Sequence, residues 1–236
     1  MAIISLSGLA GSGKDTAAKI LVEEYGFTRI SFSGKVKDVV AAIFNWDREL
    51  LEGLTEDSRK WRDTIDPWWS NQLDTEVTPR WAMTEIGTEV MRKHLHQDIW
   101  VLAVSRIAED LKDKNQNIVV SDTRFINELY MMYTLGATLV GIHRKMPRWT
   151  SLFYAEMNKR VNVEDIRWRL NEDRTELREI VHSVVNSHIC NVHVSECEHL
   201  VWPAYDRIIP NTGSLSSFRT RVRELASSVL NKNEQD

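Results

Sequence analysis

Cysteine is nearly missing from this chain: the 236 residues hold two, Cys190 and Cys197. Two cysteines seven positions apart make no disulfide scaffold, so a reducing compartment, the cytoplasm, is the expected setting. There is no zinc set. His94 and His96 flank Leu95 and face different ways on a helix, which is not ligand geometry. No run approaches the roughly 18 apolar residues of a membrane span, and residues 1–8 lack the basic start of a secretory signal. A basic surplus is also lacking. Thirty Lys and Arg face 34 Asp and Glu, for a net charge of -4, which argues against a stable nucleic-acid partner held through many phosphates. Local basic clusters can still hold a small phosphate ester. Repeats and low-complexity stretches are missing as well. The scarce residues that remain are unevenly placed: three of only ten glycines fall within the first thirteen positions, and nine tryptophans stand in a chain that is 42% apolar. That apolar share suffices for one large domain or two small ones.

The hydrophobic pattern organises the chain. Residues 2–6 predict a strand, 8–14 a glycine loop, and 15–25 a helix with Ala18, Leu21 and Val22 on one face and Gly26 at its left-handed cap. Residues 27–32 predict a second strand and 36–44 a helix. This β-α-β-α opening favours a parallel sheet. Residues 47–115 read as almost wholly helical, with Asp66-Pro67 and Thr78-Pro79 suited to helix starts. A buried strand follows at 117–121, a helix at 128–135 capped by Gly136, and a strand at 137–142. Between 144 and 178, nine Lys/Arg, six Asp/Glu and interspersed aromatics suit an exposed helical excursion, a lid. A strand at 207–209 and an amphipathic helix at 215–230 close the chain. The expectation is one domain: a core of 1–46, 116–143 and 200–236, a helical insert at 47–115 and a lid-like segment at 144–190.

Gly8-x-x-x-x-Gly13-Lys14 lies between a predicted strand and a predicted helix, the context in which this spacing denotes a phosphate-binding loop. Glycines let successive backbone N–H groups turn inward toward phosphate oxygens, the helix start adds partial positive charge, and Lys14 reaches the terminal phosphates. The position after the lysine is usually Ser or Thr, for magnesium; here it is Asp15, with Thr16 behind it. Asp15 could hold magnesium through water, act near an acceptor phosphate, or serve only as an acid favoured at a helix N-terminus. Ser121-Asp122-Thr123-Arg124 ends a buried strand, where open α/β sheets bind ligands. Asp122 there suits magnesium or a substrate hydroxyl, or a plain helix cap, and Arg124 suits bidentate phosphate contact. In the insert, Arg59, Arg62, Arg80 and Arg92 lie among Trp68, Trp69 and Trp100, which can stack on a base or simply pack.

These residues resemble the phage-type deoxynucleoside monophosphate kinases over the length of the chain. The resemblance rests on Ser12-Gly13-Lys14-Asp15-Thr16, Lys37-Asp38, Arg59-Lys60-Trp61-Arg62 with Trp68-Trp69, Thr78-Pro79-Arg80, Gly87-Thr88-Glu89, Asp98 to Val101, Asp122-Thr123-Arg124, His193 to Glu196 and Asn211 to Leu215. It implies a P-loop NTPase α/β fold: three α/β/α layers around a parallel five-stranded sheet, with a helical insert and a lid. It implies in-line transfer of the ATP γ-phosphoryl group to deoxynucleoside 5′-monophosphates, with magnesium, in phage DNA precursor supply in the host cytoplasm. It implies that Ala10, Gly11, Ser12, Gly13, Lys14, Asp15 and Thr16 hold ATP. Lys37, Trp69, Arg80, Gly87, Thr88, Trp100, Asp122, Arg124 and Glu128 would hold the acceptor. Lys14, Asp15, Arg80 and Arg124 would be catalytic, Asp15 and Asp122 would face the metal, and lid arginines such as Arg148 would assist. The implied partners are small molecules; a homodimer stays open. Two rival readings remain at this point. The chain also resembles animal-type phosphomevalonate kinase in Gly13-Lys14-Asp15, Ser121 to Arg124 and Ser195-Glu196-Cys197, and a non-catalytic nucleotide-gated binding module would share the loop.

Overall fold

The computed structural model describes residues 1–161, 174–186, 192–202 and 204–233. The chain divides into two compact units, one of residues 1–30 and 107–236, the other of 31–106.

The first unit is a three-layer α/β/α fold. Its sheet contains β1 (Ile3–Ser7), β2 (Thr28–Ile30), β3 (Ile118–Thr123), β4 (Thr138–His143) and β5 (Arg207–Pro210) in the order β2-β3-β1-β4-β5. All four pairings are parallel. Parallel strands buried on both faces need uninterrupted apolar runs, and Ile4, Leu6, Val119, Val140 and Ile142 on one face are as enclosed as Ile118, Val120 and Leu139 on the other. The first face is covered by α1 (Lys14–Tyr25) and the closing helix α10 (Leu215–Asn233), through Ala17, Ala18 and Leu21 on one and Phe218, Val222 and Ala226 on the other. On β4 packs α7 (Ile126–Thr134).

Boundaries differ from the sequence expectation where caps intervene. Strand β2 stops at Ile30 because Ser31 is the extended N-cap of α2 (Phe32–Phe44), so Phe32 turns into the helix instead of ending the strand. Strand β3 runs on through Asp122 to Thr123, which is held by side chains: Ser5 Oγ lies 2.7 Å from Thr123 Oγ1, and Ser7 Oγ donates to its carbonyl at 2.8 Å. In the lid-like segment, α8 (Arg148–Arg160) and α9 (Arg174–Asn186) bury Phe153, Met157, Leu177, Val181 and Val184. The remainder of that segment, 162–173 and 187–190 with Cys190, lies outside the described residues.

The second unit is helical. After α2 come a 3₁₀ turn (Leu50–Glu52), α3 (Glu56–Arg62), α4 (Pro67–Leu73), α5 (Pro79–Thr84), a π-helical stretch (Glu85–Leu95) and the start of α6 (Ile99–Asp113). Both prolines stand at first helical positions, where no N–H is needed. Asp66 and Thr78 cap those helices by accepting from Trp69 N at 3.0 Å and Trp81 N at 3.1 Å. The core is Val36, Val40, Phe44, Leu51, Val77, Ala82 and Trp100, with Trp46, Trp61, Trp69 and Trp81 packed on it. Here the tryptophan surplus goes: Phe44 stacks on Trp46 at 4.4 Å and meets Trp69 edge-on at 4.8 Å. Among the described residues no helix is long and apolar enough to cross a membrane.

Candidate active site

In the first unit the loop after β1 has the curvature an anion needs. Gly8 (φ 146°) and Gly13 (φ 112°) both occupy backbone conformations closed to other residues. A Cβ on Gly8 would lie 2.4 Å from the Ile142 carbonyl oxygen, and one on Gly13 would lie 2.5 Å from Asn211 Nδ2. That Asn211 amide donates to Ser12 O at 2.8 Å, clasping the loop from 199 positions away. Ala10 and Gly11 are exposed at its crest, Ser12 is buried, and Asp15 and Thr16 lie in the first turn of α1.

Lys14 is buried, its ammonium folded back to donate to Gly8 O at 2.6 Å and Leu9 O at 2.9 Å. Its pKa is pushed down to about 8, first by burial and then by the Arg124 guanidinium; Glu196, Asp15 and Asp122 pull the other way. Asp15 is exposed and pairs with Arg29 at 2.5 Å, while Arg29 Nε donates to Ser121 Oγ at 2.8 Å. Arg124 follows β3 and donates to Glu196 Oε1 at 2.5 Å, and Glu196 Oε2 accepts from the Ala10 backbone N–H at 3.1 Å. Glu128 is buried. Its Oε2 accepts from the backbone N–H groups of Arg124 at 2.8 Å and Phe125 at 3.1 Å, which shapes the turn that carries the arginine.

A cavity of about 100 Å³ opens beside the loop, between residues 8–12 and 142–147, with His199 in its wall. It is too small for a whole nucleotide and suits a phosphate tail at most. Burial, reinforced by the Lys14, Arg124 and His143 charges, pushes the His199 pKa down to about 3, so the ring is neutral. Both of its nitrogens, and Ser12 Oγ, lack hydrogen-bond partners among the described residues. Neither Arg29 nor His199 was flagged by sequence, since nothing in their local pattern marks them.

In the second unit, Lys37 is buried and pairs with Glu52 at 2.6 Å; Glu52 also receives Arg48 at 2.5 Å, and Arg48 reaches Asp38 at 2.7 Å. Burial raises the Glu52 carboxyl, but the hydrogen bonds from Lys37 and Arg48 outweigh it and hold the group below the ordinary glutamate value. Arg80 is half-exposed and bound to Asp63, a hydrogen-bonded pair that raises the guanidinium pKa. Gly87 and Thr88 lie in the π-helical stretch, and the Gly87 carbonyl accepts from Trp100 Nε1 at 2.7 Å. Trp69 Nε1 donates to Phe44 O at 3.1 Å. Both indole N–H groups are thus used inside the unit's core. The exposed tryptophan there is Trp68.

Among the described residues no cluster of three or more His, Cys, Asp or Glu could hold a metal unaided. Asp15 and Asp122 nonetheless both act on the Lys14 ammonium. Carboxylates near the loop of residues 8–14 are the donor type magnesium takes, one or two at a time with water and phosphate oxygens completing the shell.

No protein-family profile matches the chain. It is 32% identical over 153 residues, covering 61% of this chain and 75% of the relative, to a protein of Acanthamoeba polyphaga mimivirus named as a deoxynucleotide monophosphate kinase. It is 25% identical over 176 residues, 53% of this chain and 69% of the relative, to the deoxynucleoside-5′-monophosphate kinase of Escherichia phage T5. Among solved structures, a dephospho-CoA kinase from Campylobacter jejuni aligns over 96% of both chains with 14% identity and a TM-score of 0.43.

Proposed function

This chain belongs to the deoxynucleotide monophosphate kinase family and is a nucleotide kinase, and from that premise we propose that it transfers the ATP γ-phosphoryl group to deoxynucleoside 5′-monophosphates. The products are ADP and the deoxynucleoside diphosphate, which places the reaction in the supply of DNA precursors. The observation that carries the reading is the loop of residues 8–14, with its buried Lys14 beside Arg124 at the end of β3.

We assign the ATP phosphates to residues 10–16. The loop N–H groups receive phosphate oxygens, and Lys14 exchanges the Gly8 and Leu9 carbonyls for the β and γ oxygens. Arg124, a planar guanidinium that grips two oxygens at once, steadies the phosphoryl group in flight. Acceptor binding is assigned to Lys37, Trp69, Arg80, Gly87, Thr88, Trp100, Asp122, Arg124 and Glu128. Trp100 and Trp69 serve by giving the acceptor's surroundings a rigid wall, because their N–H groups are already committed. Asp15 and Asp122 would hold magnesium, which when bound offsets charge on the β and γ phosphates. Phosphoryl transfer asks little covalent help of the protein; in-line placement, positive charge and exclusion of water supply the rate. The basic stretch opening with Arg144 and Arg148 is assigned to the last of these as a lid.

The rival small-molecule acceptor is separated by a coupled assay that offers ATP with dGMP and with mevalonate phosphate side by side. Turnover of dGMP alone is expected. Preferential use of mevalonate phosphate would move the assignment to the other kinase class.

A further inference from the structure

Backbone N–H groups of a glycine loop and a nearby guanidinium are the groups that bind phosphate oxygens. In this protein one of each already holds an anion of the chain's own. The Ala10 N–H donates to Glu196 Oε2 at 3.1 Å, and Arg124 Nη1 donates to Glu196 Oε1 at 2.5 Å. The glutamate is 186 positions from one donor and 72 from the other, so this is no local turn. The same carboxylate acts on the Lys14 ammonium, in opposition to Arg124. The Ala10 N–H and the Arg124 guanidinium thus share one carboxylate of the chain, which also acts on the Lys14 ammonium.

The turn that carries Glu196 is anchored by the buried residues that follow it, whereas the Glu196 side chain is partly exposed. Glu196 ends a 3₁₀ turn (Val194–Glu196), and the next two residues, Cys197 and Glu198, are fully buried. Glu198 accepts from Ile126 N at 2.9 Å and meets His182 Nε2 at 2.9 Å and Arg178 Nε at 3.3 Å. The Glu196 side chain is 22% exposed. Rotation about its own bonds frees the carboxylate without disturbing the anchored turn.

We propose that Glu196 is a resident stand-in for a nucleotide phosphate, bound to the Ala10 N–H and Arg124 in the free enzyme and displaced by the phosphate chain of the incoming nucleotide. The proposal rests on the reading of residues 8–14 as the ATP site. The carboxylate keeps the loop shaped and holds Lys14 and Arg124 against their mutual repulsion until a more highly charged anion arrives. Its presence lowers nucleotide affinity, because two charge-assisted hydrogen bonds must be given up at a partly exposed site.

The test uses inorganic tripolyphosphate without magnesium, titrated calorimetrically into wild type, Glu196→Ala and Glu196→Gln. Binding about tenfold tighter in Glu196→Ala is expected, with Glu196→Gln between it and wild type, since Gln keeps the shape and loses the charge. The unfolding midpoint of the free variants should fall below wild type and should regain more on adding tripolyphosphate. Unchanged or weaker binding in both variants, including no binding by any of the three proteins, overturns the proposal. Failure of the acceptor assignment reads out separately: tightened tripolyphosphate binding with no diphosphate formed from any monophosphate supports the role of Glu196 and removes only the acceptor.

Discussion

The depressed pKa of Lys14 gives the site assigned to ATP a pH dependence opposite in sign to the stability of the free protein. The unfolded chain keeps the lysine proton up to its ordinary 10.5, whereas the folded chain releases it at about 8. The buried ammonium thus opposes folding at neutral pH. The free protein gains stability between pH 8 and 10.5; the gain is complete above 10.5 and is lost as pH falls through 8. Over that window it amounts to roughly 3 kcal/mol. ATP reverses the preference, because its phosphates supply the counter-charge that burial removed. The lysine is about 90% protonated at pH 7 and about 10% at pH 9, so the ATP dissociation constant should rise about tenfold between the two. The last proton of a phosphate ester leaves at about pH 6 to 7, so ATP gains only a little charge above about pH 7, and that gain acts against the predicted fall in affinity. Calorimetric titration of ATP from pH 6.8 to 9.6, in buffers of different ionisation enthalpy, measures both the affinity and the proton taken up. Lys14→Arg carries a fixed charge and should flatten the profile. A wild-type affinity that holds level to pH 9.6, with no proton uptake, would refute the reasoning that links the buried ammonium to phosphate.

Three further perturbations follow from named contacts. Glu198→Ala removes the buried carboxylate on which the Ile126 N–H, His182 and Arg178 converge, so unfolding should become easier by about 3 kcal/mol, read from denaturant midpoints; a change under about 0.5 kcal/mol would contradict the anchoring role given to Glu198. Arg80→Ala removes only a half-exposed pair with Asp63, so the unfolding midpoint should hardly move while kinase turnover drops by about two orders of magnitude; near-normal turnover of the folded variant would remove Arg80 from the acceptor site. Gly13→Ala places a methyl group against Asn211 at a positive φ, and tripolyphosphate binding should be lost with the sheet intact by circular dichroism; retained binding would mean that the loop does not need the Asn211 clasp.

The strand-loop-helix opening was legible because each part has a local cause: β-branched Ile3 and Ile4, glycines at the two positions where a Cβ would collide, and a lysine at the helix start. The helix starts at Pro67 and Pro79 were legible for the same reason, since cap and proline are neighbours in sequence. Contacts that close over long sequence distances were not. The Glu196 carboxylate on the loop, the Arg29 pairing of Asp15 and the unpartnered His199 in the cavity wall depend on where the chain returns after long excursions. The tryptophans show the limit of composition. Trp69 and Trp100 beside arginines could stack on a base or simply pack, and the sequence does not reveal that their indole N–H groups donate to Phe44 O and Gly87 O within the core.

The central claim is transfer of phosphate to a deoxynucleoside monophosphate. It is tested most directly by incubating the protein with ATP, magnesium and each of the deoxy- and ribonucleoside 5′-monophosphates in turn, and by separating the products chromatographically, with Lys14→Met as control. The account predicts a deoxynucleoside diphosphate, formed in step with ADP, from at least one deoxynucleotide and lost in the control. ADP without any diphosphate, or diphosphate formed equally by Lys14→Met, would contradict it.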